Sequence, residues 1–304
     1  MRALVISGGG SKGAFAGGVA QYLIEELHYD YDLYIGTSTG SLLISHLALK
    51  KIQKIKEFYT NVNQKTIFNI SPFNIKTDKY GHKEISINHW NTVRRFMGSK
   101  KTFGESKNLR KLIEKALTVE EFEELKSSHK DLLVTVSNLS QYSTQYKSIK
   151  DFDYKDFCDW IWISCNYIPF MSLVSKDGCE YADGGFGSMV PIKEAIERGA
   201  TTVDVIVLET EVNHLNSLPS KNAFSLITSL HGFMLDRIEK QNIAIGKFVA
   251  NNAGAIINLY YTPTVLTTNS LVFDKKKMTM WWESGYQFAA KKNMDIHEIK
   301  PEED

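Results

Sequence analysis

Near the start of the chain, Ser7 to Phe15 (SGGGSKGAF) sets three consecutive glycines, Gly8, Gly9 and Gly10, between a short apolar run and a segment of helical spacing. Glycines leave backbone N–H groups bare, and at a helix start those groups lie in the positive end of the helix dipole. The ligand of such a loop is an anion, either a nucleotide phosphate or an oxyanion formed during a reaction. A second glycine-framed feature, Gly36-Thr37-Ser38-Thr39-Gly40, fits GxSxG. A serine on a sharp strand-to-helix turn needs small neighbours so that the strained backbone can project its Oγ. A third feature, Tyr181-Ala182-Asp183-Gly184-Gly185, places an acid after a short apolar approach and before two glycines. Alone, Asp-Gly is a turn signal; as the third such feature, it offers the base that a nucleophilic Ser38 requires.

The nucleotide reading has its own support. Gly8, Gly10 and Gly13 satisfy GxGxxG after a strand and at the start of a helix. It also requires an acid at the end of the second strand. Asp30 and Asp32 are at the right distance but precede that strand, and the GTSTG motif occupies the expected place. Lys12 is followed by Gly13 rather than Ser or Thr, which excludes a Walker loop. A nucleotide-binding module therefore stands as the alternative from another class. An α/β-hydrolase triad fits poorly, because only one strand precedes the strand that leads to Ser38. The histidines also offer no base: His28 ends a helix, His46 lies within one, His82 and His89 sit in an irregular segment, and His297 is in the tail.

These residues need elements to hold them. Ala3 to Ser7 reads as a buried strand, Gly13 to His28 as a helix, Leu33 to Ile35 as a strand and Thr39 to Leu49 as a buried helix. That alternation opens a parallel α/β sheet. Ile52 to Tyr59 continues as a helix. Asn61 to Lys107 shows no sustained period and reads as an excursion or lid with short helices. Leu109 to Leu125 is helical, Leu132 to Asn138 a central strand, and Thr144 to Ile149 a strand beside it. Helices follow at Phe157 to Cys165 and Pro191 to Arg198, then a strand at Val203 to Leu208. The last elements are a long helix from Phe224 to Asn251, a strand from Ile256 to Tyr261 and a helix from Ser284 to Asn293.

The chain has 304 residues, 43% of them hydrophobic and 23% charged, with a net charge of +1. That balance gives no general attraction to nucleic acid or to an anionic membrane. Cys158, Cys165 and Cys179 have no metal-ligand or CxxC spacing, as expected of reduced thiols. No secretory leader or membrane-spanning run is apparent, so the expected compartment is the cytoplasm, although secretion without a cleaved signal would leave the same sequence. No repeat or linker divides the chain, and a single domain over 1–304 is expected.

The three motifs in order, GGGSKG, GTSTG and DGG, resemble the patatin-like phospholipase family, with its GGGx[KR]G, GxSxG and DG[GA]. The resemblance covers about residues 3–210 and includes Ile168-Pro169-Phe170, Val190-Pro191 and Arg198-Gly199-Ala200 around the third motif; 211–304 then reads as a helix-rich extension. It implies a three-layer α/β/α sandwich with a mostly parallel sheet. It also implies a Ser38–Asp183 dyad and an oxyanion hole drawn from Gly8, Gly9, Gly10 and Ser11. Lys12, Gly13, Gly36, Gly40, Gly184 and Gly185 would support the site, without cofactor or metal. Lys12 has two open roles, adding positive potential or pinning the loop to a carbonyl. Thr39 departs from the small apolar residue common after the family's nucleophile, and Ser7 has no assigned role. The implied substrate is a phospholipid ester, of phospholipase A or lysophospholipase type; neutral-lipid or soluble esters are the alternative. Transient contact with a membrane surface would involve the aromatics of 66–104, Trp160 to Phe170, or Trp281-Trp282 beside Lys275-Lys276-Lys277.

Overall fold

The computed structural model describes residues 1–77, 83–212 and 223–298. Ten strands are present among them: β1 (Arg2–Ile6), β2 (Leu33–Thr37), β3 (Phe73–Thr77), β4 (Lys83–Ile87), β5 (Asp131–Asn138), β6 (Ser143–Ser148), β7 (Val174–Lys176), β8 (Cys179–Asp183), β9 (Thr202–Val207) and β10 (Ile256–Tyr261). The main sheet has the order β10-β9-β1-β2-β5-β8-β7, with β6 also on β5. From β10 to β5 every pairing is parallel, whereas β6, β7 and β8 join antiparallel. Alternate side chains of β1 enter opposite faces. Leu4 and Ile6 pack with Phe15, Val19, Leu43 and Phe157, while Ala3 and Val5 pack with Ile192, Ile196 and Ile243. A helical layer on each face makes this a three-layer α/β/α sandwich with a mostly parallel sheet, the form that buries near-continuous apolar strands.

The pairing on β5 decides where the site forms. β6 occupies one edge of β5 from Leu133 to Asn138. β2 pairs with β5 as far as Thr37–Thr135, and β8 pairs with it from Asp183–Val136 onward. Both overlap the stretch that β6 already covers, so they share the opposite edge. The C-terminal ends of β2 and β8 therefore meet head to head at adjacent β5 positions, bringing Asp183 beside the residue that follows Thr37.

Several expected boundaries move. Leu109 to Leu125 is two helices, Lys107–Ala116 and Val119–Ser127. Thr118 and Glu121 form a capping box at the break, a T-x-x-E signal present in the sequence. Asn61 to Lys107 holds the short helices Gln64–Ile67 and His89–Met97 and also the β3–β4 hairpin; Tyr80 and His82 lie outside the described residues. The last helix begins at Lys275, well before Ser284.

That last helix packs on the helix Gly13–Glu25 at a close approach of backbones. A Cβ on Gly18 would collide with the Trp282 carbonyl oxygen, and one on Gly285 with the Phe15 carbonyl. Trp282 is fully buried, and its Nε1–H donates to Gln21 Oε1 at 2.8 Å. Gly18→Val is therefore expected to destabilise the protein by about 1–3 kcal/mol or more through overpacking, read as a lower urea midpoint.

Candidate active site

Ser38 follows β2 directly and caps the helix Thr39–Ala48, with φ 52° and ψ −118°. This left-handed backbone is costly for a non-glycine residue and persists only where its surroundings hold it. Here the Ser38 amide donates to Ser164 Oγ at 2.9 Å, and Ser164 Oγ donates to the Thr135 carbonyl at 2.6 Å. Ser41 Oγ donates to the Gly36 carbonyl at 2.8 Å across the turn. Gly36 and Gly40 flank it, and a Cβ on Gly40 would press on the backbone of Ile6.

Ser38 Oγ donates to Asp183 Oδ2 at 2.6 Å. The other carboxylate oxygen accepts the Gly185 amide at 2.8 Å, while the Asp183 amide donates to the Asn166 carbonyl at 3.0 Å. Ser137 Oγ donates to the Asp183 carbonyl at 2.8 Å. Gly184 packs where a Cβ would strike Thr135. Asp183 is thus held through backbone and side chain alike. Burial raises its pKa to about 7, the hydrogen bonds from Ser38 and Gly185 opposing but not cancelling the loss of water. Ser38 has no hydrogen bond to a histidine among the described residues; His46 bonds instead to the Ala116 carbonyl at 3.0 Å.

The glycine loop faces this pair. A Cβ on Gly8 would lie 3.2 Å from Ser38 Cβ and 2.7 Å from Met189 Sδ, so only glycine allows the loop so near. Gly10 has φ +56°. Its carbonyl accepts both Thr39 Oγ1 at 2.7 Å and Tyr59 Oη at 2.6 Å. At the other end of the same peptide, the Ser11 amide donates to the Ser270 carbonyl at 2.8 Å. The Ser11 amide is thus already used, and Ser11 is not among the residues lining the cavity. The amides of Gly8, Gly9 and Gly10 have no protein acceptor among the described residues. Gly13 abuts Thr39 and Tyr59.

Ser7 and Lys12, at the two ends of the loop, both find partners after β9. Ser7 Oγ accepts the Leu208 amide at 3.0 Å and donates to the Gly8 carbonyl at 3.2 Å, tying the loop to the end of β9. The buried Lys12 ammonium pairs with the Glu209 carboxylate. Nearby, burial and the Glu209 charge push the Glu239 carboxyl to about 8. Tyr59, Glu209, Asn242 and Ser270 were invisible in the sequence, which has no motif around any of them. Asn242 Oδ1 accepts the Met189 amide at 2.7 Å and the Val190 amide at 3.2 Å, bracing the chain after Asp183.

Ser38, Asp183 and Gly8–Gly10 line one cavity of about 1300 Å³, whose lining also includes Ile67, Leu112, Ile113, Ile161 and Met171. A hydroxyl hydrogen-bonded to a carboxylate, facing bare amides at a helix start, can carry out acyl transfer. Sandwich, elbow and cavity together define a class of α/β proteins that carry a serine on a strand-to-helix turn beside a largely apolar cavity. The model of the patatin-like phospholipase family matches residues 4–196, and the chain belongs to that family. YjjU of Escherichia coli (strain K12), described as uncharacterised, is 26% identical over 213 residues, 67% of this chain and 51% of YjjU. The chain thus spans about half the length of that curated relative. The crystal structure of VipD from Legionella pneumophila matches with TM-score 0.50 at 15% identity, over 95% of this chain and 66% of VipD. At that identity the likeness is one of fold.

The raised Asp183 pKa makes a prediction about stability. The folded carboxyl binds a proton more tightly than an unfolded one, so stability falls as pH rises from about 4 through about 7. Asp183→Asn keeps the shape and removes the buried charge. It should be more stable than wild type at pH 8 by on the order of a few kcal/mol, with the difference vanishing toward pH 4, in denaturant titrations.

Proposed function

We propose that the protein hydrolyses acyl esters of glycerophospholipids, as a phospholipase A or lysophospholipase, and that residues 1–304 act as one unit. The observation that carries this reading is the 2.6 Å bond from Ser38 Oγ to a buried carboxylate at the floor of an apolar cavity. Ser38 Oγ attacks the ester carbonyl carbon as its proton passes to Asp183 Oδ2. The tetrahedral oxyanion is held by the amides of Gly9 and Gly10, with Gly8 beside them. Collapse of the intermediate expels the alcohol, which takes the proton from Asp183 and leaves an acyl-Ser38 ester. Water then attacks that ester as Asp183 accepts its proton; collapse of the second intermediate returns that proton to Ser38 Oγ and releases the fatty acid. The long apolar wall favours an acyl chain over a nucleotide, since a dinucleotide site needs an acid for the ribose where this chain has Ser38.

Ser38→Ala should lower turnover of a p-nitrophenyl acyl ester by about 10⁴-fold or more, with Asp183→Asn close behind, because the two act as a unit. A fluorophosphonate probe should label wild type at Ser38. Against phosphatidylcholine and triolein in mixed micelles, fatty acid should be released faster from the phospholipid; the reverse order would replace the phospholipase reading with a neutral-lipid one. Because Asp183 accepts the proton, kcat/KM should fall with decreasing pH through about 7, rather than near the ordinary carboxylate value.

Thr39 and Tyr59 supply the hydroxyls that orient the Gly10 peptide. The double variant Thr39→Val/Tyr59→Phe should cost about 10- to 100-fold in kcat with KM little changed, since freeing the Gly10 carbonyl loosens the loop that carries the Gly9 and Gly10 amides.

A further inference from the structure

The sequence offers three aromatic regions for contact with a lipid surface, and the structure separates them. Trp160, Phe170 and Trp282 are buried in the core. On the helix His89–Met97 the opposite holds: Trp90 is 77% and Met97 83% exposed, with Val93 and Phe96 also exposed. A second exposed apolar stripe lies on the early turns of the helix Ala223–Ala253. It comprises Leu226, Leu230, Phe233 and Met234, which fall on one face at helical spacing.

The two helices border one cavity. Phe233 is part of the cavity wall and is 62% exposed, so the cavity reaches the surface there, and the exposed His89 lines it from the other helix. An aromatic chain joins the helices beneath: Phe96 to Phe103 at 5.7 Å, Phe103 to Phe170 at 5.9 Å and Phe170 to His231 at 6.4 Å.

Charge is distributed unevenly around this rim. Residues 86–104 contain Arg94, Arg95, Lys100 and Lys101 and no Asp or Glu, in a chain whose net charge is only +1. Arg95 pairs with Glu105 and Lys101 with Glu180, so the basic character of the rim rests on Arg94 and Lys100. Residues 223–235 contain no Asp, Glu, Lys or Arg. Trp, Phe and Met beside Arg and Lys, next to an uncharged apolar stripe, is the composition of an element that lies in a bilayer interface. Exposed apolar surface of this extent marks an interaction site. A protein seated here would cover the opening through which a lipid must enter; a bilayer would cover it and supply the lipid.

We infer that the helix His89–Met97 and the early turns of the helix Ala223–Ala253 form a rim that docks the cavity mouth on a bilayer bearing anionic phospholipid headgroups. The apolar side chains enter the acyl boundary, and Arg94 and Lys100 meet the headgroups. The proposal rests on the acyl-ester reading of the cavity, so its test measures docking and chemistry separately.

Docking is read by sedimentation of the Ser38→Ala protein with vesicles of phosphatidylcholine alone or mixed with phosphatidylglycerol. Partition should be at least about fivefold higher onto the mixed vesicles, and Arg94→Glu/Lys100→Glu should lower it by about 20-fold or more, at roughly fivefold per basic residue. Trp90→Ala/Met97→Ser and Leu230→Ser/Met234→Ser should each reduce partition by about 10-fold or more. In a background with Ser38 intact, all three variants should turn over soluble p-nitrophenyl butyrate as wild type does, which also shows that they fold. A protein that stays in the supernatant with both vesicle types, or variants that partition like the parent, overturn the docking face. Equal partition onto both vesicle types overturns its anionic preference. Vesicle binding without any soluble-ester turnover overturns the hydrolase reading and leaves the docking face standing.

Discussion

The shared edge of β5 is the constraint on which the site depends. A strand edge can serve two partners only in succession. β2 ends its pairing at Thr135, and β8 begins at Val136 from the opposite direction. Ser38 and Asp183, separated by 145 residues in sequence, thereby reach 2.6 Å without either lying on a mobile loop. Hydrogen-bond register repeats along a strand to a fraction of an ångström, which is what a proton transfer between two side chains requires. The same arrangement buries the carboxylate, and burial raises its pKa to about 7, as the proposed role of a base at neutral pH would require.

Around that junction, the strained elements are all held from several sides. The left-handed Ser38 is braced by Ser164, and the Gly10 peptide by Thr39, Tyr59 and Ser270. Asn242 braces the strand exit after Asp183. Ser270 and Asn242 lie beyond residue 196, where the family model ends. The C-terminal portion is thus tied to the geometry of the site by hydrogen bonds, and by the glycine-mediated contact of the last helix with the first. In the proposed reaction, groups held in this way would meet the developing charge without first having to reorganise.

Much of the fold was legible in the sequence. Strands β1, β2, β5 and β9 are short apolar runs stopped by Gly or polar residues, and the helices between them carry a clear period. What escaped had weak local signals. The break between Lys107–Ala116 and Val119–Ser127 lay inside one continuous helical period, although its capping box was there to be read. The β3–β4 hairpin does alternate, with Phe73 and Ile75 on one strand paired with Ile87 and Ile85 on the other, but two apolar residues per strand are too short a period to stand out in an irregular segment. The start of the last helix was hidden by three lysines, which helix and loop accommodate equally well.

By itself the sequence determined the chemistry on offer. Glycines where side chains cannot fit, a serine at a strand end and an acid before two glycines are local demands of backbone sterics, and local demands are written in residue type and spacing. Only the tertiary structure decided which groups meet. It took the Ser11 amide out of the loop's donor set, turned Lys12 toward Glu209, and set Thr39 and Tyr59 on one carbonyl. It also left Trp90 at the surface while burying Trp160 and Trp282. Each of these depends on contacts between residues far apart in the chain, and such contacts follow from packing and strand register, which no single stretch of sequence contains.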